Sequence, residues 1–102
     1  MDLDTFADWA DAVPLRPDLT RDAEKHLGYL GLGLAGEAGE TVEVIKKHLR
    51  DGPIDMAALR HELGDVFFYL ACICRHLDLD MGDIMAEART RIDAKVAAAN
   101  KN

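Results

Sequence analysis

The sequence predicts an all-α fold of four helices arranged as an antiparallel bundle. Apolar residues recur at helical spacing almost throughout the chain, and no segment shows the strict apolar-polar alternation that is typical of a strand. The helix-breaking residues fall into three short stretches, which separate four helical segments. Because the connections are short, consecutive helices are expected to pack as antiparallel neighbours.

The first two helices are bounded by prolines and by a capping residue. Pro14 ends a first helix that is predicted over residues 4–12. Thr20 is the predicted N-cap of a second helix that reaches residue 50 and is unusually long. The Asp-Gly-Pro turn at residues 51–53 ends this second helix.

The last two helices each follow an aspartate that can cap them. Asp55 is the predicted N-cap of a third helix over residues 56–77. Asp80 is the predicted N-cap of a fourth helix over residues 81–98. The chain is therefore expected to form one helical domain over residues 1–102.

Length and charge limit the possible functions. The chain has 102 residues and a net charge of −7. A domain of this size often buries further surface in an oligomer, so a homo-oligomer is expected. Binding along a nucleic-acid duplex depends on clustered Lys and Arg, so the negative charge argues against a nucleic-acid partner.

The cysteines and the hydropathy pattern indicate a reduced, cytoplasmic protein. Cys72 and Cys74 lie two residues apart and point in nearly opposite directions on a helix, so they are expected to be core residues without a disulfide. The spacing of zinc ligands is absent. No signal peptide and no apolar stretch of membrane-spanning length is found, so no membrane partner is expected.

Two acidic pairs interrupt the apolar faces of the second and third helices. Glu37 and Glu40 are three residues apart, as are Glu62 and Asp65, so each pair projects from one side of its helix. Uncompensated charge on a buried face costs several kcal/mol. If the two helices pack antiparallel, the four carboxylates converge, and a cation is expected between them.

An all-oxygen ligand set suits a hard cation, most simply Mg²⁺ or else Mn²⁺, which takes substrate phosphates as further ligands. This predicts a nucleotide site. The alternative is a non-catalytic helical interaction module, whose acids bind a structural cation or form salt bridges. A ferritin-like di-iron site is not expected, because no glutamate has a histidine three residues later. A dinucleotide-binding loop is not expected either, because the Gly-x-Gly-x-x-Gly pattern at residues 31–36 lies inside a predicted helix.

Three further residues have two possible roles each. Lys47 can reach a phosphate from the Glu40 edge or only add solubility. Glu43 points away from the apolar side and is expected to pair with Lys47 one turn later, although a role at the metal, as a ligand or as a base, stays open. Trp9 belongs either to the core or to the wall of a nucleobase pocket.

The glycines of the second helix also need a reason. Each costs about 1 kcal/mol relative to alanine inside a helix. Close approach of another helix is expected to compensate for this cost. The glycines are Gly28, Gly31, Gly33, Gly36 and Gly39.

Two segments carry a family resemblance. Residues 33–40, Gly-Leu-Ala-Gly-Glu-Ala-Gly-Glu, and residues 62–66, Glu-Leu-Gly-Asp-Val, resemble the all-α nucleoside triphosphate pyrophosphohydrolases of the MazG-like superfamily. The resemblance spans about residues 30–77. It implies Mg²⁺-dependent hydrolysis of a nucleoside triphosphate to monophosphate and pyrophosphate in a dimer or a dimer of dimers. It also implies that the metal ligands are Glu37, Glu40, Glu62 and Asp65.

The resemblance implies substrate contacts outside the acidic pairs. Tyr69 matches an aromatic residue that lines the nucleotide site in relatives. Arg91 and Lys95 match a basic pair on the last helix, which implies phosphate contacts. Relatives often carry Asn where this chain has Ala88, so a base or sugar contact by that Asn does not transfer. Some members also have a glutamate at the position of Gly36, and its role does not transfer either.

Overall fold

The computed structural model of the protein describes residues 1–101 and shows four α-helices joined by short loops, with no strand among those residues. The predicted all-α class is confirmed. Asn102, the last residue of the predicted domain, lies outside the described residues. Across residues 1–101, no helix has both the length and the apolarity that crossing a membrane requires. The helices are α1 (Leu3–Ala12), α2 (Ala23–Asp51), α3 (Met56–His76) and α4 (Met81–Ala99).

The N-caps of α3 and α4 are those that the sequence predicts. The Asp55 carboxylate accepts a hydrogen bond from the Ala58 amide, and the Asp80 carboxylate accepts one from the Asp83 amide, both at 3.0 Å. A cap of this kind stabilises a helix by about 1 kcal/mol. These caps fix where α3 and α4 begin.

The predicted N-cap of α2 is wrong. Thr20 lies in a turn before the helix, where its hydroxyl donates to the Pro17 carbonyl at 2.9 Å. Asp22 caps α2 instead, and its carboxylate accepts from the amides of Glu24 and Lys25. A carboxylate at this end also interacts favourably with the helix dipole. The helix therefore begins three residues after Thr20.

Helices α2 and α3 form an antiparallel pair. Near one end, the His76 Nε2 donates to the Ala23 carbonyl at 3.0 Å. Further along, the Tyr69 ring lies against the backbone of Gly33. Residues later in α2 therefore contact residues earlier in α3, which is the pattern of an antiparallel pair. This packing brings the acidic faces of the two helices together.

Helix α1 crosses α3 and completes a small core. The Arg75 guanidinium pairs with the Asp8 carboxylate at 3.0 Å, and the Cys72 thiol lies 3.6 Å from the Ala10 carbonyl oxygen. Cys72 is buried and Cys74 is half-buried, and both are free thiols, as predicted. The fully buried core residues are Ala7, Ala10, Leu30, Ala71 and Cys72.

Helix α4 leaves much of its surface exposed. It packs mainly on α1 rather than alongside α3, and none of its residues is fully buried. The accessible surface of the chain is 7664 Å². A folded monomer of 11.2 kDa is expected to expose only about 5,700 Å². A single chain therefore leaves unusually large apolar faces uncovered.

The expected close approach at the glycines holds at one position within the chain. A Cβ at Gly33 would collide with the Tyr69 ring. At Gly28, Gly31, Gly36 and Gly39 a Cβ would meet no atom within 4 Å outside the local helix. For these four glycines the expectation is wrong within one chain, because they lie on parts of α2 that no other helix covers.

Candidate metal centre

Three carboxylates converge between α2 and α3. Glu37 comes from α2, and Glu62 and Asp65 lie three residues apart on α3. One oxygen from each carboxylate lies within 4.8 Å of the others. All three residues are partly buried. The antiparallel packing thus unites members of both acidic pairs, which we call the carboxylate cluster (Glu37, Glu62 and Asp65).

The cluster has an excess of negative charge. The pKa of Glu37 is raised to about 7, first by burial, then by its hydrogen bond with the Glu62 carboxyl and by the charges of Asp65, Glu62 and Glu40. Within residues 1–101, no Lys or Arg forms an ion pair with a carboxylate of the cluster. Carboxylates at this spacing without a Lys or Arg partner fit a hard divalent cation.

Glu40 lies next to the cluster but not in it. It is exposed, one turn after Glu37 on α2, and its charge contributes to the raised pKa of Glu37. The three oxygens that come within 4.8 Å of one another do not include one from Glu40. Its predicted role as a ligand stays a prediction.

Glu43 is exposed, as predicted, but its expected partner is wrong. In the part of the chain that the structure describes, no ion pair joins Glu43 to Lys47. The pKa of Arg50 is raised, first by its hydrogen bond to Asp51 and also by the charge of Glu43. The charge of Glu43 therefore acts on Arg50, although no ion pair joins the two among the described residues.

Tyr69 joins the cluster to the core. Burial raises its pKa, and the neighbouring Tyr29 and the charge of Glu37 act in the same direction. Its ring packs against the Gly33 backbone. Tyr69 is therefore a packed residue that also borders the carboxylate cluster, and its contact with a nucleotide stays a prediction.

An aromatic row runs from Tyr69 to the outer side of α1. The ring centroids of Tyr69 and Phe68 are 5.4 Å apart, and those of Phe68 and Trp9 are 5.6 Å apart. Trp9 is 55% exposed and also contacts Phe6, with ring centroids 5.6 Å apart. The indole therefore lies at the surface edge of the aromatic row and is not a fully buried core residue.

Among the described residues, none of the predicted basic residues forms an ion pair with the cluster. Lys47 lines a separate cavity between the end of α2 and the start of α3, and ten helical residues place it about 15 Å along the axis from Glu37. Arg91 and Lys95 are exposed on α4, and neither forms an ion pair among the described residues. The fold of one chain does not bring these cations to the carboxylates.

His61 lies beside the cluster, although no sequence motif assigns it to the site. Its Nε2 lies 3.3 Å from Oδ2 of Asp65, one turn further along α3. The i,i+4 spacing to Asp65 was the signal that could have found it, since residues four apart are neighbours on a helix. The rest of the His61 side chain is exposed.

Comparison with known proteins identifies the family to which this chain belongs. Residues 26–98 match the model of the MazG nucleotide pyrophosphohydrolase domain. The chain belongs to the MazG family. It is also similar to the Gene 37 protein of Mycobacterium phage L5, with 34% identity over 79 residues, which cover 72% of this chain and 69% of that protein. No solved structure matches the chain.

The MazG match contains the whole carboxylate cluster. It begins in the first turn of α2, spans α3 and ends near the end of α4. Tyr69, Arg91 and Lys95 also lie within it, whereas Trp9 on α1 lies outside. The resemblance seen in the sequence is therefore confirmed over a longer segment than the two acidic motifs.

Proposed function

We propose that the protein hydrolyses a nucleoside triphosphate, with Mg²⁺, between the α and β phosphates to give a monophosphate and pyrophosphate. The convergence of Glu37, Glu62 and Asp65 in a MazG chain is the observation that supports this proposal. The packing of α2 on α3 does not by itself explain why three negative charges lie together. A cation that also takes phosphate oxygens explains why these charges lie together.

The role that we propose for each carboxylate follows from its position. Glu37, Glu62 and Asp65 would hold the cation, which when bound neutralises phosphate charge and makes a water molecule more acidic. Glu40 is exposed beside the cluster. It can add a further ligand or accept the proton of the attacking water. Glu43 is the alternative proton acceptor, one helical turn beyond Glu40.

The substrate would lie across the open side of the cluster. The aromatic row from Tyr69 to Trp9 offers ring faces for a nucleobase. Phosphate contacts are proposed for Arg91 and Lys95, with Lys47 as a further cation at the far end of α2. None of these cations forms an ion pair with the cluster among the described residues, so we propose that they contact the phosphates only when substrate is bound, within one chain or across a second chain.

We propose that a second copy of the chain covers the outer side of α2. The side opposite Gly33 is apolar and exposed, with accessible fractions of 76% at Leu32, 63% at Val42 and 80% at Leu49. The open glycines lie among these residues and would let a partner helix approach closely. The exposed area exceeds the monomer expectation by about 2,000 Å², whereas a standard interface needs about 800 Å² per partner. This outer stripe consists of Gly28, Gly31, Leu32, Ala35, Ala38, Gly39, Val42, Ile45 and Leu49.

The same apolar surface supports a second candidate, a helical interaction module without catalysis. In that case the carboxylate cluster would hold a cation only for structure. The hydrolase and the interaction module have the same fold and both bind a cation, but only the hydrolase turns over a nucleotide. A nucleotide assay therefore separates them.

The test is a panel of common and damaged nucleoside triphosphates incubated with Mg²⁺ in ¹⁸O-labelled water. Release of pyrophosphate, with the label in the monophosphate, is the expected result and shows attack at the α-phosphorus. Glu62→Gln should lose the activity, and Glu87→Gln, an exposed acid on α4, should keep it. Label in pyrophosphate, or no product with any nucleotide, would contradict the proposal.

A further inference from the structure

We propose that His61 is a positioning residue that orients the Asp65 carboxylate for the cation. This inference rests on the proposed function, because it requires the carboxylate cluster to bind a divalent metal. It goes beyond that function by giving a role to a side chain outside the acidic motifs. The role is mechanical, since the imidazole N–H would hold one oxygen of Asp65 and so direct the other.

The geometry of α3 places the two side chains together. His61 and Asp65 are four residues apart, so they occupy the same side of the helix. The Nε2–Oδ2 distance of 3.3 Å is slightly long for a hydrogen bond. The His61 side chain is 70% exposed, and contacts in a site often shorten when its ligand binds. The imidazole therefore needs only a small rotation to donate to Asp65.

His61 has a distinctive place around the cluster. Across residues 1–101, it is the only basic side chain within ion-pair distance of any of the three carboxylates. Arg60, the preceding residue, is also exposed but makes no ion pair in this part of the chain. Contact with the cluster thus depends on the side of the helix and not on proximity in sequence.

Holding a carboxylate in one orientation improves metal binding. A cation is bound best when its ligand oxygens are already directed at it, and a second hydrogen bond to the ligand supplies that direction. Loss of such a contact typically weakens metal affinity by about 10-fold to 100-fold. The Asp65 side chain is 43% exposed. A hydrogen bond therefore restricts its orientation more than it would restrict the orientation of a buried ligand.

The competing explanation predicts a change of the opposite sign. If His61 were only a nearby positive charge, it would compete with the metal for Asp65. Its removal would then strengthen metal binding, as would removal of other nearby cations. The direction of the change in affinity therefore distinguishes a positioning contact from simple charge competition.

The experiment measures Mn²⁺ binding by electron paramagnetic resonance of the free ion, without nucleotide. His61→Ala should weaken Mn²⁺ affinity by roughly 10-fold. His61→Gln, whose amide N–H can reach Asp65 much as Nε2 does, should restore most of the affinity. Arg60→Ala is the matched control and should leave the affinity unchanged or slightly increased. Circular dichroism should show the same helix content in all three variants.

The outcomes separate this inference from the proposed function. If the wild-type protein and Glu62→Gln bind Mn²⁺ equally, the metal site itself is wrong. If the wild type binds at the cluster and His61→Ala binds as tightly or more tightly, only the role of His61 is overturned. Equal weakening in His61→Ala and His61→Gln would also overturn it, because the donated N–H would then not matter.

Discussion

The Tyr69 ring lies so close to Gly33 that no side chain can be accommodated at this position of α2. A Cβ built on Gly33 overlaps three carbon atoms of the ring. The contact connects the packing of α2 and α3 to the candidate metal centre, because Glu37 follows Gly33 by one turn and Tyr69 follows Asp65 by one turn. The register of the two helices, and hence the spacing of the carboxylates, depends on this glycine.

Gly33→Ala should destabilise the protein although alanine favours helix. The added methyl group displaces the Tyr69 ring, which typically costs about 1–3 kcal/mol, whereas helix propensity returns about 1 kcal/mol. Gly36→Ala is the matched control, since nothing lies within 4 Å of its added Cβ. It should raise the free energy of unfolding by about 0.5–1 kcal/mol. Urea titrations that gave both variants the same sign would contradict the proposed packing.

The stability of the metal-free protein should depend on pH through Glu37. The folded state raises the pKa of Glu37 from 4.5 to about 7, so the folded state holds this proton more tightly than the unfolded state does. The resulting stabilisation is fully present below pH 4.5 and is lost as pH rises through about 7. Urea unfolding in the presence of a chelator, from pH 5 to pH 8, should show the loss.

Two comparisons test whether Glu37 is the group that causes this pH dependence. Glu37→Gln cannot ionise, so its free energy of unfolding should fall less than that of the wild type over the same range. Mg²⁺ should restore more stability at pH 8 than at pH 5, because the ionised carboxylate binds the cation. Parallel curves for the wild type and Glu37→Gln would show that another group is responsible.

The acidic site could largely be predicted from the sequence, because helix periodicity defines which carboxylates share one side of a helix. Spacing of three residues and apolar neighbours were enough to bring Glu37, Glu62 and Asp65 to one interface. The position of Glu40 outside the cluster, one turn from Glu37, depends on how far the two helices overlap. That overlap is a tertiary property, which a helical wheel does not contain.

The helix ends and the glycines show where local reasoning failed. Thr20 and Asp22 are both good caps, and the hydrogen bond of Thr20 to Pro17 decided between them. Glycine spacing correctly indicated close approach at Gly33, but it could not distinguish a contact inside the chain from an exposed face such as that at Gly31. Contacts of α4 were likewise unpredictable, because its apolar positions do not specify which helix covers them.

Arg91 should affect substrate binding more than turnover. A phosphate contact with an arginine is worth about 1.5–3 kcal/mol, so Arg91→Ala should raise KM for the nucleotide by at least about 10-fold. Arg89→Ala is the matched control, because Arg89 is equally exposed on α4 but points to another side of the helix. Steady-state kinetics with Mg²⁺ provide the measurement. Equal KM values for the two variants would remove Arg91 from the proposed substrate contacts.

Val42 should be essential for self-association if the outer stripe is the interface. Val42→Glu places a charge in the middle of an apolar, desolvated surface, and an unpaired buried charge costs several kcal/mol. Light scattering coupled to size-exclusion chromatography should show a smaller species than the wild type. Arg60→Glu is the control, because it also introduces a glutamate, but on the exposed surface of α3, and it should leave the mass unchanged. A Val42→Glu variant of unchanged mass would exclude the outer stripe as the interface, and a wild-type chain that is already monomeric would contradict self-association by any surface.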